Sequence, residues 1–525
     1  MNSWRGQNDD GSNQPRGGVG EHGMSGRLGE ISGESSAGGC TSNARTNLAP
    51  AGKADAARGA VRSVHSSEEG RNETGAKGPN LNAGNSVARD EAMAPMLGIK
   101  TPIKVQALQR TLYRKAKENK RWRAWSLYGD LCRCDVLETA MNAVVAKAGA
   151  AGIDGITTGQ VKASAGKFLE DLQAQLKDGG YRPGPVKRVW IDKADGKQRP
   201  LGIPNVIDRI VQMALLIVLQ PIVEADFDEG SFGYRPGRKA HEALDAIRNQ
   251  LRQGRTEVVD ADLSSYFDTI DHAGLLRLVA RRVSDGSILR LVKLFLKAPI
   301  VEEKNGRSRY HKNDRGTPQG GVLSPLLANL YLNSLDHGVN GHPELDAKLV
   351  RYADDFVLLC RPGKGGAMLE RLKQYLHAKR LRLNEAKTRL VNFQQEPFRF
   401  LGFNFARRRS PRTGNYFVHV EPSPKARQHL RDAVRDELNH WTKHRSCAEV
   451  IRRVNQITQG WSNYYHYGHS THVFGSQQLW LRNRVRRWLW RKYDCKHGLF
   501  SFFTDARLVG QYQLWSLPLT CAWRR

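Results

Sequence analysis

The feature that most restricts this chain is a pair of neighbouring acids embedded in apolar sequence. The run reads Leu349-Val350-Arg351-Tyr352-Ala353-Asp354-Asp355-Phe356-Val357-Leu358-Leu359. Apolar residues on either side predict two buried strands folded back as a β-hairpin, with both carboxylates at its turn. Successive residues of a straight strand point to opposite faces, so two consecutive Asp side chains converge on one site only at a bend. Burying two like charges is costly unless a cation lies between them. Asp-Asp is also common turn punctuation, and alone the pair admits either a metal site or a plain turn.

A third carboxylate shifts that balance. The segment Glu257-Val258-Val259-Asp260-Ala261-Asp262-Leu263-Ser264-Ser265-Tyr266-Phe267-Asp268-Thr269-Ile270-Asp271-His272 reads as a strand running into a turn and a helix start. Asp260 and Asp262 share a face, and alternation leaves both open as the inward acid. Asp268 and Asp271 sit where helix caps are common. One strand-end Asp and a hairpin Asp pair supply the hard oxygen ligands that two Mg²⁺ ions need. Two such ions activate a 3′-hydroxyl and hold leaving pyrophosphate during in-line displacement.

Charge points to the same class of partner. The 525 residues carry 82 Lys and Arg against 52 Asp and Glu, a net +30. That surplus predicts a polyanion, since each phosphate neutralised releases a counterion. Residues 1–95 contribute none of it: they hold 10 basic and 11 acidic residues, 17 of the 51 glycines and a single aromatic, Trp4. Such a segment cannot bury enough apolar surface to offset its ordering entropy and is expected to be a disordered extension. The longest apolar run, Met213 to Leu219, is too short for a membrane span. The N-terminus lacks the charged-then-apolar order of a secretory signal. Seven cysteines without a C-x-x-C pair argue against a disulfide framework or zinc. Cys132 and Cys134 form a lone C-x-C on an expected helix. A cytoplasmic protein, nucleoid-associated when on DNA, is expected.

From about Lys104 the pattern turns helical and basic (Arg114, Lys115, Lys117, Lys120, Arg121, Arg123), with Trp122 and Trp125 interleaved, which suits an RNA- or DNA-facing helix. Strands are expected at Val186–Ile191, Glu257–Ala261, Leu349–Leu359 and Phe398–Phe405, and long helices at Val206–Ala225, Ser324–Leu335 and Gly366–Arg380. Ser324-Pro325 reads as a helix start, with Ser as cap and Pro at the first helical position. After Pro422 the sequence is almost wholly helical, basic and rich in Trp and Tyr.

The strand-end Asp262-Leu-Ser-Ser-Tyr-Phe267 followed by Tyr352-Ala-Asp-Asp355 resembles the first and third palm motifs of reverse transcriptases. The resemblance selects Asp262 over Asp260, because in that family the catalytic Asp lies five residues before an aromatic gate, here Phe267. A ring under the sugar leaves no room for a 2′-hydroxyl and so selects dNTPs. Further segments agree in order. Arg315-Gly-Thr-Pro-Gln319-Gly320-Gly321 resembles the Pro-Gln-Gly motif, with Gln319 toward nucleotide or template. Ile191-Asp-Lys193-Ala-Asp195-Gly196-Lys-Gln-Arg199 resembles the fingertip hairpin, Asp195-Gly196 forming its turn and Lys193 and Arg199 clamping a triphosphate. Leu383-Asn-Glu-Ala-Lys387 and Leu401-Gly402 resemble the fourth palm motif, Lys387 donating a proton to pyrophosphate, and the primer-grip hairpin. The resemblance implies Asp262, Asp354 and Asp355 as catalytic residues and, with the Leu263 backbone carbonyl, as ligands of two Mg²⁺ ions.

Gly152-Ile-Asp-Gly155-Ile-Thr and Ser231-Phe-Gly-Tyr-Arg-Pro-Gly237-Arg narrow the likeness to group II intron-encoded reverse transcriptase/maturases of bacterial type. The implied fold is α+β: right-hand polymerase fingers and palm, an α-helical thumb and an all-α maturase domain. The expected map is an extension at 1–95, a basic helical part of the fingers at 96–170, fingers and palm at 171–406, and thumb with maturase domain at 407–525. In the last of these, Arg482, Arg484, Arg486, Arg487, Arg491 and Lys492 are expected to hold RNA phosphates while Trp and Tyr stack on unpaired bases. Trp461, Trp488 and Trp490 also suit core positions, and both uses are expected. The absence of a Cys pair near the C-terminus speaks against second-strand nicking by an endonuclease domain. The expected partners are intron RNA as template, a DNA primer or target and dNTPs, and no membrane. Two rivals stand beside this reading: a retron-type or phage-defence reverse transcriptase, and a non-catalytic RNA-binding splicing factor.

Overall fold

The computed structural model describes residues 101–192, 196, 198–304 and 307–520. The expected disordered extension, Lys193 and the Asp195 turn position lie outside the described residues.

The described chain is organised around a four-stranded sheet in the order β6-β7-β3-β8. Its strands are β3 (Glu257–Ala261), β6 (Ala347–Tyr352), β7 (Asp355–Cys360) and β8 (Arg389–Asn392). All neighbours are antiparallel, with Val259 opposite Leu358 and Asp260 opposite both Val357 and Arg389. Alternation then sorts the side chains into two separate cores. Val259, Ala261, Leu349, Phe356 and Leu358 pack on the helical layer that includes Val206–Glu224 and Ser324–Asn340. Val258, Val350, Val357, Leu359 and Val391 pack on the other face, in one cluster with Phe403, Phe405, Trp461 and Phe474 from the C-terminal region. Both faces are covered, which is why these strands read as continuous apolar runs rather than as alternating ones.

A second sheet, β2-β1-β4-β5, carries the fingers: β1 (Val186–Asp192), β2 (Gln198–Ile203), β4 (Ile300–Lys304) and β5 (Arg307–His311). β1 is antiparallel to β2 and parallel to β4, so residues far apart in sequence share this sheet. A third sheet, in the order β11-β10-β9, comprises β9 (Phe398–Phe400), β10 (Phe403–Arg409) and β11 (Tyr416–Pro422) and leads into helices Pro424–Glu437, Cys447–Tyr465 and Thr471–Lys492. The helical region therefore starts at Pro424 rather than at 407, because 403–422 form a hairpin registered from Phe403↔Pro422 to Arg409↔Tyr416.

Three local expectations are corrected. Ser324 does not cap its helix: Leu323 stands at the cap position, and the Ser324 hydroxyl donates to the Pro318 carbonyl at 2.8 Å. Cys132 and Cys134 straddle a helix boundary, with Arg133 extended between them. The helix Val206–Glu224 is long and apolar enough to cross a membrane by length and composition, yet 89% of its apolar window is buried inside the fold. Gln212 and Gln220, with Asp208 and Arg209 before them, interrupt the apolar sequence, which hid that length from a simple run count. Asp271 does cap the helix His272–Ala280, accepting from Gly274 N, whereas Asp268 lies within the short helix Tyr266–Thr269.

Asp208 enters this core carrying a charge problem. Its carboxylate accepts from the Tyr181 hydroxyl at 2.6 Å and from Gly184 N at 3.1 Å. Burial nevertheless pushes it up to about 6. A raised carboxyl favours the fold while protonated, and that contribution is lost as pH rises from about 4 through about 6. Asp208→Asn should therefore flatten the fall in Tm between these pH values, worth up to about 3 kcal/mol. An equal fall in both proteins would show that Asp208 does not govern it.

Candidate active site

The Asp-Asp hairpin is built as a two-residue loop. Tyr352 pairs with Asp355, leaving Ala353 and Asp354 at the turn, and Ala353 is left-handed at φ +61°. A tight hairpin requires such a backbone, and an Ala accepts it only when its surroundings impose it. The surroundings are a buried guanidinium. Arg351 has no solvent exposure and donates to Asp336 Oδ1 at 2.8 Å, Asn329 Oδ1 at 2.7 Å, Ser231 Oγ at 2.7 Å and the Ala353 carbonyl at 2.9 Å. A second contact with Asp336 makes that pair bidentate. Burial alone opposes the Arg351 charge, but the Asp336 carboxylate more than offsets it and raises the guanidinium further.

The 231–237 loop completes the support. Phe232 N donates to Arg351 O at 2.9 Å, and Asn329 Nδ2 donates to Gly233 O at 2.7 Å. Gly233 lies so close that an added Cβ would stand 2.4 Å from Ala353 N. Next to it Tyr234 is left-handed at φ +57° and exposed. The part of its ring that the fold covers, then the charge of Asp354, push its phenol up.

Strand register brings in the third acid. Ala261 pairs with Phe356, so the next residues along the two strands, Asp262 and Asp355, come opposite each other on one face at the sheet's end. Asp260, two pairs further in, is bound to Arg389 at 3.1 Å. Asp262 Oδ2 meets Lys387 Nζ at 3.1 Å and accepts from Asn384 Nδ2 at 3.4 Å. Its carbonyl accepts from Asn384 N at 2.7 Å, and Ser264 N donates to Arg382 O at 2.9 Å, an antiparallel bridge centred on Leu263 and Leu383. Those two bonds belong to the flanking residues, so the bridge does not use the Leu263 carbonyl.

Among the described residues no group of three or more His, Cys, Asp or Glu side chains is gathered closely enough to hold a metal ion. The donor set has the right chemistry for a hard cation, three carboxylates and a backbone carbonyl. In this arrangement the Lys387 ammonium supplies the positive charge beside Asp262.

Phe267 is half-buried and meets Tyr266 edge-on, ring centroids 5.5 Å apart. Its carbonyl accepts from Thr317 N at 2.7 Å, while Gly316 N donates to Ile270 O at 2.8 Å. Gly316, at φ +84°, passes so close that a Cβ would lie 2.6 Å from Phe267 O. The Gly-rich segment is thus fastened to the strand-end turn. Gln319 joins it to the fingers: its side-chain oxygen accepts from Arg199 Nε at 2.6 Å, and its carbonyl accepts from Gly202 N at 2.6 Å. Beside it a groove of about 500 Å³ is lined by Arg188, Gly202, Lys312, Arg315 and Gln319. Leu401 and Gly402, at φ +48° and +80°, form the two-residue turn between β9 and β10, and Tyr464 Oη donates to Leu401 O at 2.9 Å.

The six cations expected to face RNA divide. Arg486 is buried, donating to Phe503 O at 2.7 Å and pairing with Asp505, which also takes Arg482 at 2.6 Å. Lys492 Nζ donates to the Lys443 and Arg445 carbonyls at 2.5 and 2.8 Å. These three are occupied inside the fold. Arg484, Arg487 and Arg491 instead line a cavity of about 260 Å³. Trp461 and Trp488 are buried and Trp490 is exposed.

Sequence reasoning missed the Arg351–Asp336–Asn329 network and the place of Tyr234. Arg351 stands one residue before the turn motif inside an apolar strand, the one signal that pointed to it.

An antiparallel sheet with Asp262 and Asp355 at its end, and a second sheet fastened to it through a Gly-rich loop, have the architecture of a template-directed polymerase. Residues 191–405 match the family model "Reverse transcriptase (RNA-dependent DNA polymerase)", and residues 427–502 match "Group II intron, maturase-specific domain". The chain is 36% identical to protein YkfC of Escherichia coli over 313 residues, 53% of this chain and 81% of that one. It is 31% identical over 429 residues to the group II intron-encoded protein LtrA of Lactococcus lactis, covering 65% of this chain and 70% of that one. Among solved structures a chain of a Cas6-RT-Cas1–Cas2 complex is similar at TM-score 0.31 and 22% identity, over 48% of this chain and 43% of that one. The chain belongs to the group II intron-encoded reverse transcriptase/maturases of bacterial type and is an RNA-directed DNA polymerase. Its two domains bind nucleic acid, intron RNA included, and reverse transcriptase domains work with divalent metal ions.

Arg351→Leu should cost about 3–5 kcal/mol in denaturant unfolding, because it strands the Asp336 charge. Arg351→Leu with Asp336→Leu should regain most of that stability but not primer extension, because the Ala353 carbonyl still lacks its donor. Recovery of both would separate the ion pair from the turn. Gly233→Ala should lower primer extension with a smaller loss of stability, its methyl pushing on the Ala353 backbone.

Proposed function

We propose that Asp262, Asp354 and Asp355 carry nucleotidyl transfer from dNTPs to a DNA primer on an intron RNA template, and that the C-terminal helices hold the intron RNA to assist splicing and mobility. The observation that carries this reading is the β3–β7 register, which sets Asp262 against Asp355 at the foot of the Asp354 turn. Mg²⁺, when bound by these carboxylates and the Leu263 carbonyl, would supply Lewis-acid activation of the 3′-hydroxyl and charge neutralisation at the leaving pyrophosphate.

The remaining roles belong to the protein's own groups. Phe267, its backbone fixed by Thr317, presents a ring that excludes a 2′-hydroxyl. Arg199 and Lys193 hold the triphosphate, and Gln319, already bonded to Arg199, couples that clamp to the nascent base pair. Lys387 stands 3.1 Å from Asp262 and is placed to leave it for the pyrophosphate, donating a proton there. Arg484, Arg487 and Arg491 face RNA phosphates. DNA synthesis and RNA handling then rest on different residues in different cores.

Asp354→Asn with Asp355→Asn should abolish primer extension on an RNA template, since neutral amides bind Mg²⁺ poorly, while leaving intron RNA binding and splicing assistance largely intact. Splicing that stopped together with cDNA synthesis would defeat the division of labour. Wild-type protein without primer extension would instead support a non-catalytic splicing factor. Phe267→Ala should let NTPs compete with dNTPs, and unchanged discrimination would remove the ring from that role.

A further inference from the structure

The cavity beside the helix Thr471–Lys492 is unlike the rest of the basic surface. Its lining is Leu438, Asn439, His440, Lys443, Arg484, Arg487, Trp488 and Arg491. Four permanent cations face it and no carboxylate does. Elsewhere the same region neutralises its arginines: Arg482 and Arg486 share Asp505, and Arg408 and Arg427 share Glu421. Here burial, then the charges of Arg491, Arg435 and Arg487, hold the Arg484 guanidinium below its usual range. An uncompensated cluster of this kind costs stability in the absence of an anion.

The segment across from these arginines is pinned in place. Lys492 ties the carbonyls of Lys443 and Arg445, Trp488 Nε1 donates to Thr442 Oγ1 at 3.2 Å, and Arg484 Nη2 donates to Leu438 O at 3.3 Å. That pinning holds out Trp441, flanked by His440 and Thr442 and 80% exposed. An exposed indole alone is unremarkable surface. Its neighbour His440 lines the cavity and meets the indole edge-on, ring centroids 5.6 Å apart, so an exposed aromatic adjoins an anion hole, the two elements that recognise an unpaired nucleotide. The volume, about 260 Å³, falls below the roughly 300–1,000 Å³ of drug-sized pockets and suits one phosphate-sugar unit rather than a duplex.

We propose that this cavity is a nucleotide subsite: the phosphate of a single unpaired residue sits among Lys443, Arg484, Arg487 and Arg491, and its base stacks on Trp441. The inference rests on the reading that the C-terminal helices bind RNA, and adds what they select, an unpaired nucleotide over duplex.

The test uses the full chain with two labelled RNAs of equal nucleotide number and so nearly equal charge, one a single strand and one a blunt duplex of half that length. Trp441→Ala should weaken single-strand binding about ten-fold or more, about the scale of one stacked base, without changing its salt dependence or its duplex affinity. Trp441→Phe should retain most of it. Arg484→Gln with Arg487→Gln and Arg491→Gln should flatten the salt dependence for the single strand by up to about 0.7 units of slope, the share of one phosphate. Circular dichroism and thermal melting check that each variant is folded. A single-stranded DNA of the same sequence separates the sources: dependence on Trp441 for RNA alone assigns the subsite to RNA, and for both to any single strand. Equal losses for single strand and duplex, or no loss with Trp441→Ala, would overturn the subsite while leaving RNA binding in place. Wild-type protein that bound neither RNA would overturn both readings.

Discussion

The buried ion pair of Arg351 with Asp336 is the constraint on which the site depends. A guanidinium with no solvent exposure survives only when its donors are met, and these reach three separate segments: the helix Ser324–Asn340, the turn at Ala353, and the 231–237 loop, directly at Ser231 and through Asn329 at Gly233. Satisfying one charge therefore fixes the relative places of pieces more than a hundred residues apart. The strained backbone at Ala353 is paid for by this network, and the Asp354 and Asp355 carboxylates inherit its rigidity.

The palm sheet divides the molecule's labour through its two faces. One face closes the helical core under the polymerase, and the other shares a core with the C-terminal helices, where His241 bonds the Tyr464 carbonyl at 2.7 Å and Tyr467 Oη donates to Asp245 at 2.8 Å. The acids lie at the end of the same strands whose interior side chains weld the two halves. Asp262 and Asp355 are set by strand register, whereas Arg484, Arg487 and Arg491 are set by the helix Thr471–Lys492, whose buried side belongs to the shared core.

Legibility followed the range of the interactions. The strand Glu257–Ala261 matched its expected bounds, and the helix Val206–Glu224 came within one residue, because both are dictated by local apolar periodicity. The hairpin expected across Leu349–Leu359 from its Asp-Asp bend is present, as Ala347–Tyr352 and Asp355–Cys360. The strands β4, β5, β8 and β11 escaped notice: Arg307–His311 is polar and mostly exposed, and forms because β4 offers it an edge. Ser324 failed as a cap for a similar reason, since the Pro318 carbonyl drew its hydroxyl away.

By itself the sequence determined the residue types and their order: two acidic segments, an aromatic five residues on, a Gly-rich loop, and a basic C-terminal helix. Those follow from covalent spacing and local alternation, which a linear reading contains. Only the tertiary structure decided which acids meet, since Asp262 and Asp355 are brought together by pairing across 93 residues of chain. It alone withdrew Arg482, Arg486 and Lys492 into internal bonds while leaving Arg484, Arg487 and Arg491 around a cavity. A charge becomes a ligand for solvent, protein or RNA according to what distant chain comes to lie beside it, and that partner is not written next to it.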